Sequence, residues 1–113
     1  MERINIKPLS LNNAYSGRRF STPELKRFKE ALGYLLPKKT LPRGVYRVIC
    51  EFGVSSKASD LDNLCKTFLD GLSEKYKFND KLIYRLEVEK KDVEKGKEYI
   101  AIEIVIHTPP LAS

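Results

Sequence analysis

The sequence of 113 residues contains no tryptophan and no long uninterrupted apolar run. A helix that crosses a bilayer needs about 20 consecutive apolar residues, so no membrane partner is expected. The first residues also lack the charged-then-apolar order that is typical of a signal peptide. These absences favour a cytoplasmic protein.

The chain has few side chains that bind metals through nitrogen or sulfur or that take part in redox chemistry. The chain has one histidine, His107, and two cysteines, Cys50 and Cys65, without a CxxC or CxxH spacing. Such a set supplies too few ligands for a structural zinc site. A disulfide is not expected in a reducing cytoplasm. Both cysteines are therefore predicted to be buried free thiols.

Charge is plentiful and unevenly distributed. The chain carries 21 Lys and Arg against 15 Asp and Glu, a net charge of +6. Residues 1–57 hold 12 basic and 4 acidic residues, whereas residues 58–113 hold 9 and 11. A basic half attracts a polyanion and an acidic half suits a metal centre. RNA-binding proteins have similar charge, so this signal leaves the function open.

Length and hydrophobic periodicity predict one domain over residues 1–113. Apolar alternation indicates four strands, and apolar spacing of three and four residues indicates two helices. The strands are expected near residues 4–9, 46–52, 84–88 and 99–106, and the helices at 25–36 and 61–72. Ser21 is expected to cap the first helix. The order β-α-β-α-β-β is typical of an α+β domain with a mixed sheet and two helices on one side.

Asp60 and Asp62 stand where a strand and its exit loop meet the second helix. If the backbone is extended there, their carboxylates point to the same side. Carboxylate oxygens suit a hard cation such as Mg²⁺ or Mn²⁺, and such a cation supports phosphodiester hydrolysis. A helix cap is the alternative explanation for one aspartate. A cap would account for only one of the two aspartates. It would not explain why the second aspartate and Asn63 lie beside it.

Lys66 and Asp80 are further candidates. Lys66 follows Asp62 by four residues, so it forms either a surface ion pair of about 0.3–0.5 kcal/mol or a cation for a phosphate. Asp80 lies in a turn before the next strand, an ordinary place for aspartate unless the fold returns it beside Asp60 and Asp62. Asp70 sits two turns along the helix, too far for the same ion.

Four segments of the chain form a recognisable pattern. They are Leu11-Asn12-Asn13-Ala14-Tyr15, Asp60-Leu61-Asp62-Asn63-Leu64-x-Lys66, Phe68-Leu69-Asp70-Gly71-Leu72, and Asn79-Asp80 before a strand. Together with the chain length and the order of elements, this pattern resembles the RusA-type Holliday junction resolvases over nearly the whole chain.

The resemblance implies a RusA-like, homodimeric endodeoxyribonuclease that nicks four-way DNA junctions symmetrically in recombination and repair, using Mg²⁺ or Mn²⁺. It implies catalytic and metal-binding roles for Asp60, Asp62 and Asp80, and a catalytic role for Lys66. The expected DNA-binding residues are Asn12, Asn13, Tyr15, Arg18, Arg19, Lys57 and Lys66. The family can carry an arginine cluster just before the aspartates, whereas this chain has only Lys57 there.

Two other functions are compatible with the residues. One is a non-enzymatic nucleic-acid-binding module in which the aspartates only cap a helix and bases stack on aromatic side chains. The candidates for stacking are Tyr15, Phe20, Tyr34, Tyr46 and Tyr84. The other is a metal-dependent nuclease for flaps or RNA.

Paired cuts in a symmetric junction need two related sites, which a two-fold dimer provides. The interface is left open between the apolar faces of the sheet and the segment Tyr34-Leu35-Leu36.

Overall fold

The computed structural model describes residues 1–10, 15–16 and 20–108. A 3₁₀ turn at Asp80–Leu82 accompanies two helices and six strands within these residues. In chain order the elements are β1 (Glu2–Ile4), β2 (Tyr15–Ser16), β3 (Phe20–Ser21), α1 (Pro23–Leu35), β4 (Tyr46–Val54), α2 (Leu61–Tyr76), the 3₁₀ turn, β5 (Ile83–Asp92) and β6 (Tyr99–Ile106).

Four of the strands form one mixed sheet in the order β1-β6-β4-β5. β4 pairs parallel with β5 and antiparallel with β6, and β1 pairs antiparallel with β6. β2 and β3 form a separate small antiparallel pair. The predicted small α+β domain with a mixed sheet and two helices is confirmed.

The core lies between one face of the sheet and the two helices. Val48, Cys50 and Phe52 point to this face of β4 and are buried, as the period of two in a strand requires. Phe68 of α2 is also fully buried and meets the Phe52 ring edge-on, with 5.8 Å between the ring centroids. Cys50 and Cys65 are buried free thiols, as predicted. Burial raises the pKa of both thiols, which makes them unreactive.

Helix α1 begins one residue later than predicted. Its N-cap is Thr22, whose Oγ1 accepts a hydrogen bond from the Leu25 N–H at 3.3 Å, so the prediction of Ser21 was wrong. Pro23 decides the position, because proline lacks an N–H and favours the first helical residue, which leaves its predecessor as the cap.

Within the described residues, neither helix is both long and apolar enough to cross a membrane.

One flank of α2 is fixed against α1. A Cβ atom added at Gly71 would lie 2.4 Å from Cδ1 of Leu32, so the two helices approach closely there. On the same flank, the Lys29 ammonium binds Asp70 at 2.7 Å and Glu74 at 3.0 Å. Asp70 is therefore part of the helix-helix contact.

Candidate active site

Asp60 occupies the N-cap position of α2 without acting as a side-chain cap. Its backbone is extended (φ −81°, ψ 133°), and its carbonyl accepts the first helical bond from the Leu64 N–H at 3.1 Å. The carboxylate itself accepts no capping hydrogen bond. The alternative explanation of Asp60 as a capping side chain does not hold, and its exposed oxygen atoms are left for another ligand.

Asp62 lies in the first turn of the same helix and is exposed. Its Oδ1 accepts a hydrogen bond from the Asn63 N–H at 3.0 Å, and it forms no ion pair with any residue that the structure describes. The backbone is extended at Asp60 but helical from Leu61 onward. The condition of an extended backbone through both aspartates is therefore not met, because the helix begins between them. What the two carboxylates share is the N-terminal end of α2.

Lys66 is an exposed cation one turn after Asp62. The surface ion pair between these two residues, which would have explained Lys66 structurally, is not formed, and no other described acid binds this lysine. Lys66 comes four residues after Asp62, and Leu69 comes three residues after Lys66. This spacing places all three on one flank of the helix. Gly71, where α2 contacts α1, comes nine residues after Asp62 and therefore lies on the opposite side of the helix from it.

Asp80 is exposed and begins the 3₁₀ turn after the other end of α2. β4 and β5 run parallel and are connected through α2, so α2 must return the chain from the end of β4 to the end of the sheet where β5 begins. Its 16 residues span about 24 Å. Among the residues described, no three His, Cys, Asp or Glu side chains gather into a group that could hold a metal ion. The structure therefore does not bring Asp80 to Asp60 and Asp62 within one chain.

Asp60 and Asp62 have the chemistry that a hard cation requires. Both are exposed carboxylates that no described lysine or arginine neutralises. Mg²⁺ in proteins is often held by one or two carboxylates, with waters and substrate phosphates in its other positions. The pair at the start of α2 therefore fits such an ion, and no third carboxylate of the described residues joins it.

Residues 10–105 of the chain match the family model of the endodeoxyribonuclease RusA. The chain belongs to the RusA endodeoxyribonuclease family. The match spans most of the chain and includes all of α2 and the 3₁₀ turn, and it confirms the resemblance found in the sequence. No curated protein matches the sequence.

The predicted DNA-binding residues of this RusA chain fall partly within the described structure. Lys57 is exposed in the loop that leads from β4 to Asp60. This loop is attached to β5, because the Lys90 ammonium donates to the Ser59 carbonyl oxygen at 2.8 Å. The residues outside the described part are Asn12, Asn13, Arg18, Arg19 and the side chain of Tyr15.

A cluster of four lysines was missed by the sequence analysis. Lys38, Lys39, Lys75 and Lys77, called here the lysine cluster, line a cavity of about 670 Å³ beside the C-terminal end of α2. The ends of the two helices meet there, because Lys75 donates to the Gly33 carbonyl oxygen at 2.7 Å. The sequence contains the two lysine pairs as separate surface residues, and only the helix packing joins them.

The aromatic residues considered for base stacking in this RusA chain separate into two groups. Tyr46 is buried and donates to the Pro42 carbonyl oxygen at 2.6 Å, so it is part of the core. Tyr34 and Tyr84 are 88% and 67% exposed, but they lie on different elements. The side chains of Tyr15 and Phe20 are outside the described residues. The described aromatic residues therefore do not form a continuous stacking surface.

Proposed function

We propose that this RusA-family chain is a Holliday junction resolvase, a metal-dependent endodeoxyribonuclease that makes paired symmetric nicks in four-way DNA junctions during recombination and repair. One observation carries the proposal. In a chain that matches RusA, the start of α2 presents two exposed carboxylates, Asp60 and Asp62, and an exposed ammonium, Lys66, none of which binds another described side chain.

Asp60 and Asp62 are the proposed ligands of Mg²⁺ or Mn²⁺, with Asp80 as the third acid of the reaction. A bound divalent cation supplies Lewis-acid polarisation of the phosphodiester and activation of a water molecule. The two carboxylates hold and orient that ion at the helix end. Their lack of lysine or arginine partners supports this role, because a salt-bridged carboxylate would have to exchange its partner for the ion.

Lys66 is proposed to bind a non-bridging oxygen of the scissile phosphate. An ammonium at this place stabilises the negative charge that increases on the phosphate in the transition state. Its position one turn after Asp62, on the same flank of α2, supports the role.

The lysine cluster and Lys57 are proposed to bind the DNA backbone. In a plot of the logarithm of the DNA-binding constant against the logarithm of the salt concentration, each phosphate contact adds about 0.9 to the magnitude of the slope. The double variant Lys38→Ala/Lys77→Ala is therefore expected to lower that slope by about 2. Fluorescence anisotropy of a labelled junction over a salt series measures it.

Lys95→Ala/Lys97→Ala is the matched control for this experiment. It changes the net charge by the same amount in the loop between β5 and β6, where Lys97 already binds Glu94 at 3.4 Å. We expect its salt slope to equal that of the wild type. An equal loss of slope in both double variants would show that net charge, and not the lysine cluster, determines binding.

A substrate panel tests the proposed function as a whole. The wild-type protein is incubated with a four-way DNA junction, a flap, an RNA duplex and a single strand, with Mg²⁺ or with EDTA. Symmetric nicks in the junction, dependent on Mg²⁺, are expected. Binding without cleavage would instead support the nucleic-acid-binding module. Cleavage confined to the flap or to RNA would support the other nuclease.

A further inference from the structure

Lys90 is a half-buried lysine to which the proposed reaction gives no role. It lies near the end of β5, opposite Phe52 in the register of the parallel pair with β4. Phe52 is fully buried in the core, so the side chain of Lys90 also leaves the sheet on the face that the helices cover. A lysine is seldom placed on such a face unless its ammonium has a partner.

The partner of the Lys90 ammonium is a backbone oxygen. Its Nζ donates to the Ser59 carbonyl oxygen at 2.8 Å, and it forms no ion pair with any carboxylate of the described residues. The next residue, Lys91, points to the opposite face of the sheet and binds Glu51 at 3.1 Å. Lys90 is therefore directed at the loop before α2, whereas Lys91 is part of a surface ion pair within the sheet.

The oxygen that Lys90 binds belongs to the peptide group that leads into Asp60. A peptide group is planar, so a bond to its oxygen also restrains the N–H and the Cα of the next residue. On the other side of Asp60, its own carbonyl oxygen accepts the first bond of α2 from the Leu64 N–H at 3.1 Å. The peptide groups before and after Asp60 are thus both held, the first by Lys90 and the second by the helix.

The loop supplies only weak support of its own at this point. Residues 55–58 are exposed. The Ser59 N–H donates to the Ser56 carbonyl oxygen at 3.4 Å and the Ala58 N–H to the Ser56 Oγ at 3.3 Å, both longer than a typical N–H···O bond. The Asp60 carboxylate makes no capping bond. The direction of this carboxylate therefore depends on the backbone that Lys90 ties to the sheet.

We propose that Lys90 is a positioning residue, whose ammonium fixes the peptide group between Ser59 and Asp60 and so directs the Asp60 carboxylate toward the ion that Asp62 also binds. The role of the ion rests on the proposed function, whereas the fixing of the peptide group does not. Removal of a group that orients a metal ligand typically changes metal affinity by about 10- to 100-fold.

The fixing of the peptide group is tested by heteronuclear NMR of the protein without metal or DNA. Lys90→Met removes the donor and keeps an apolar stem, and Lys91→Met is the matched control with the same change of charge one residue away. The resonances of the Ser59 carbonyl carbon and the Asp60 amide nitrogen are expected to shift in Lys90→Met and to stay in place in Lys91→Met. Equal shifts in both variants, or none in Lys90→Met, would overturn the proposal.

The consequence for the ion is tested by Mn²⁺ titration followed by electron paramagnetic resonance. Positioning predicts that Lys90→Met binds Mn²⁺ about tenfold or more weakly than the wild type, and that Lys91→Met binds it equally well. Lys90→Arg is expected to recover most of the affinity, because a guanidinium also donates to a carbonyl oxygen.

The sign of the change separates positioning from a simple effect of charge. Removing a positive charge beside a bound cation strengthens its binding, so an effect of charge alone predicts tighter Mn²⁺ binding in Lys90→Met. A merely structural role predicts a loss of stability in urea with unchanged Mn²⁺ affinity of the folded protein. Tighter or unchanged binding in a Lys90→Met chain with a wild-type circular dichroism spectrum would overturn the proposal.

Junction nicking separates the failure of this proposal from the failure of the proposed function. Lys90→Met is expected to need about tenfold more Mn²⁺ than the wild type to reach half of its maximal nicking rate. A wild-type protein that binds Mn²⁺ but nicks no junction would contradict the proposed function. It would leave the role of Lys90 supported, because the NMR and Mn²⁺ measurements use the protein without DNA.

Discussion

Asp62→Asn is expected to lower the rate of junction nicking by about 100-fold or more. Loss of a metal-binding carboxylate removes several kcal/mol of transition-state stabilisation, and each 1.4 kcal/mol corresponds to about tenfold in rate. The fold should be unaffected, because Asp62 is exposed and an asparagine oxygen can still accept the Asn63 N–H. Single-turnover nicking of a labelled four-way junction measures the effect.

Asp70→Asn is the matched control on the same helix. Asp70 binds Lys29 on the flank that contacts α1, so its loss should leave the nicking rate unchanged. It should lower the free energy of unfolding by less than about 1 kcal/mol, as for an exposed ion pair. If Asp62→Asn nicked as fast as Asp70→Asn, the catalytic assignment of Asp62 would be wrong.

Phe68→Ala is expected to lower the free energy of unfolding by about 3–5 kcal/mol. Phe68 has 0% exposure and packs edge-on against Phe52, so its removal leaves a cavity between α2 and the sheet. The whole domain is expected to have about 5–15 kcal/mol of stability. Urea unfolding followed by circular dichroism measures the loss.

The control for Phe68→Ala is Tyr34→Ala on α1. Tyr34 is the most exposed of the large apolar side chains in the described structure, and its removal should change the stability by no more than about 0.5 kcal/mol. A loss below about 1 kcal/mol for Phe68→Ala would contradict its place in the core. The effect matters for function because Phe68 holds the helix that carries Asp62 and Lys66.

Most of the secondary structure was predictable because its signals are local. The first strand was expected near residues 4–9 but lies at Glu2–Ile4, and the short β2–β3 pair was not predicted. Alternating isoleucines mark β6, and apolar spacing of three and four residues marks α2, so each element is readable within a short window. The start of α1 was misplaced by one residue, because Ser21 and Thr22 are both good caps and only Pro23 distinguishes them. The order of the strands in the sheet depends on distant pairs and could not be obtained in this way.

The candidate site was likewise predictable only where its residues lie close together in the sequence. Asp60, Asp62 and Lys66 lie within seven consecutive residues of the sequence, and the RusA resemblance added Asp80. The position of Asp80 depends on the parallel pairing of β4 and β5, which no local spacing reveals. The lysine cluster depends on a contact between Lys75 and Gly33, residues 42 positions apart. Both are consequences of packing between elements.

Anomalous diffraction from a crystal of the wild-type protein soaked in Mn²⁺ tests the central claim most directly. An anomalous peak is expected at the start of α2, within coordination distance of the carboxylates of Asp60 and Asp62. Mn²⁺ bound elsewhere, or no ion at the start of α2, would contradict it.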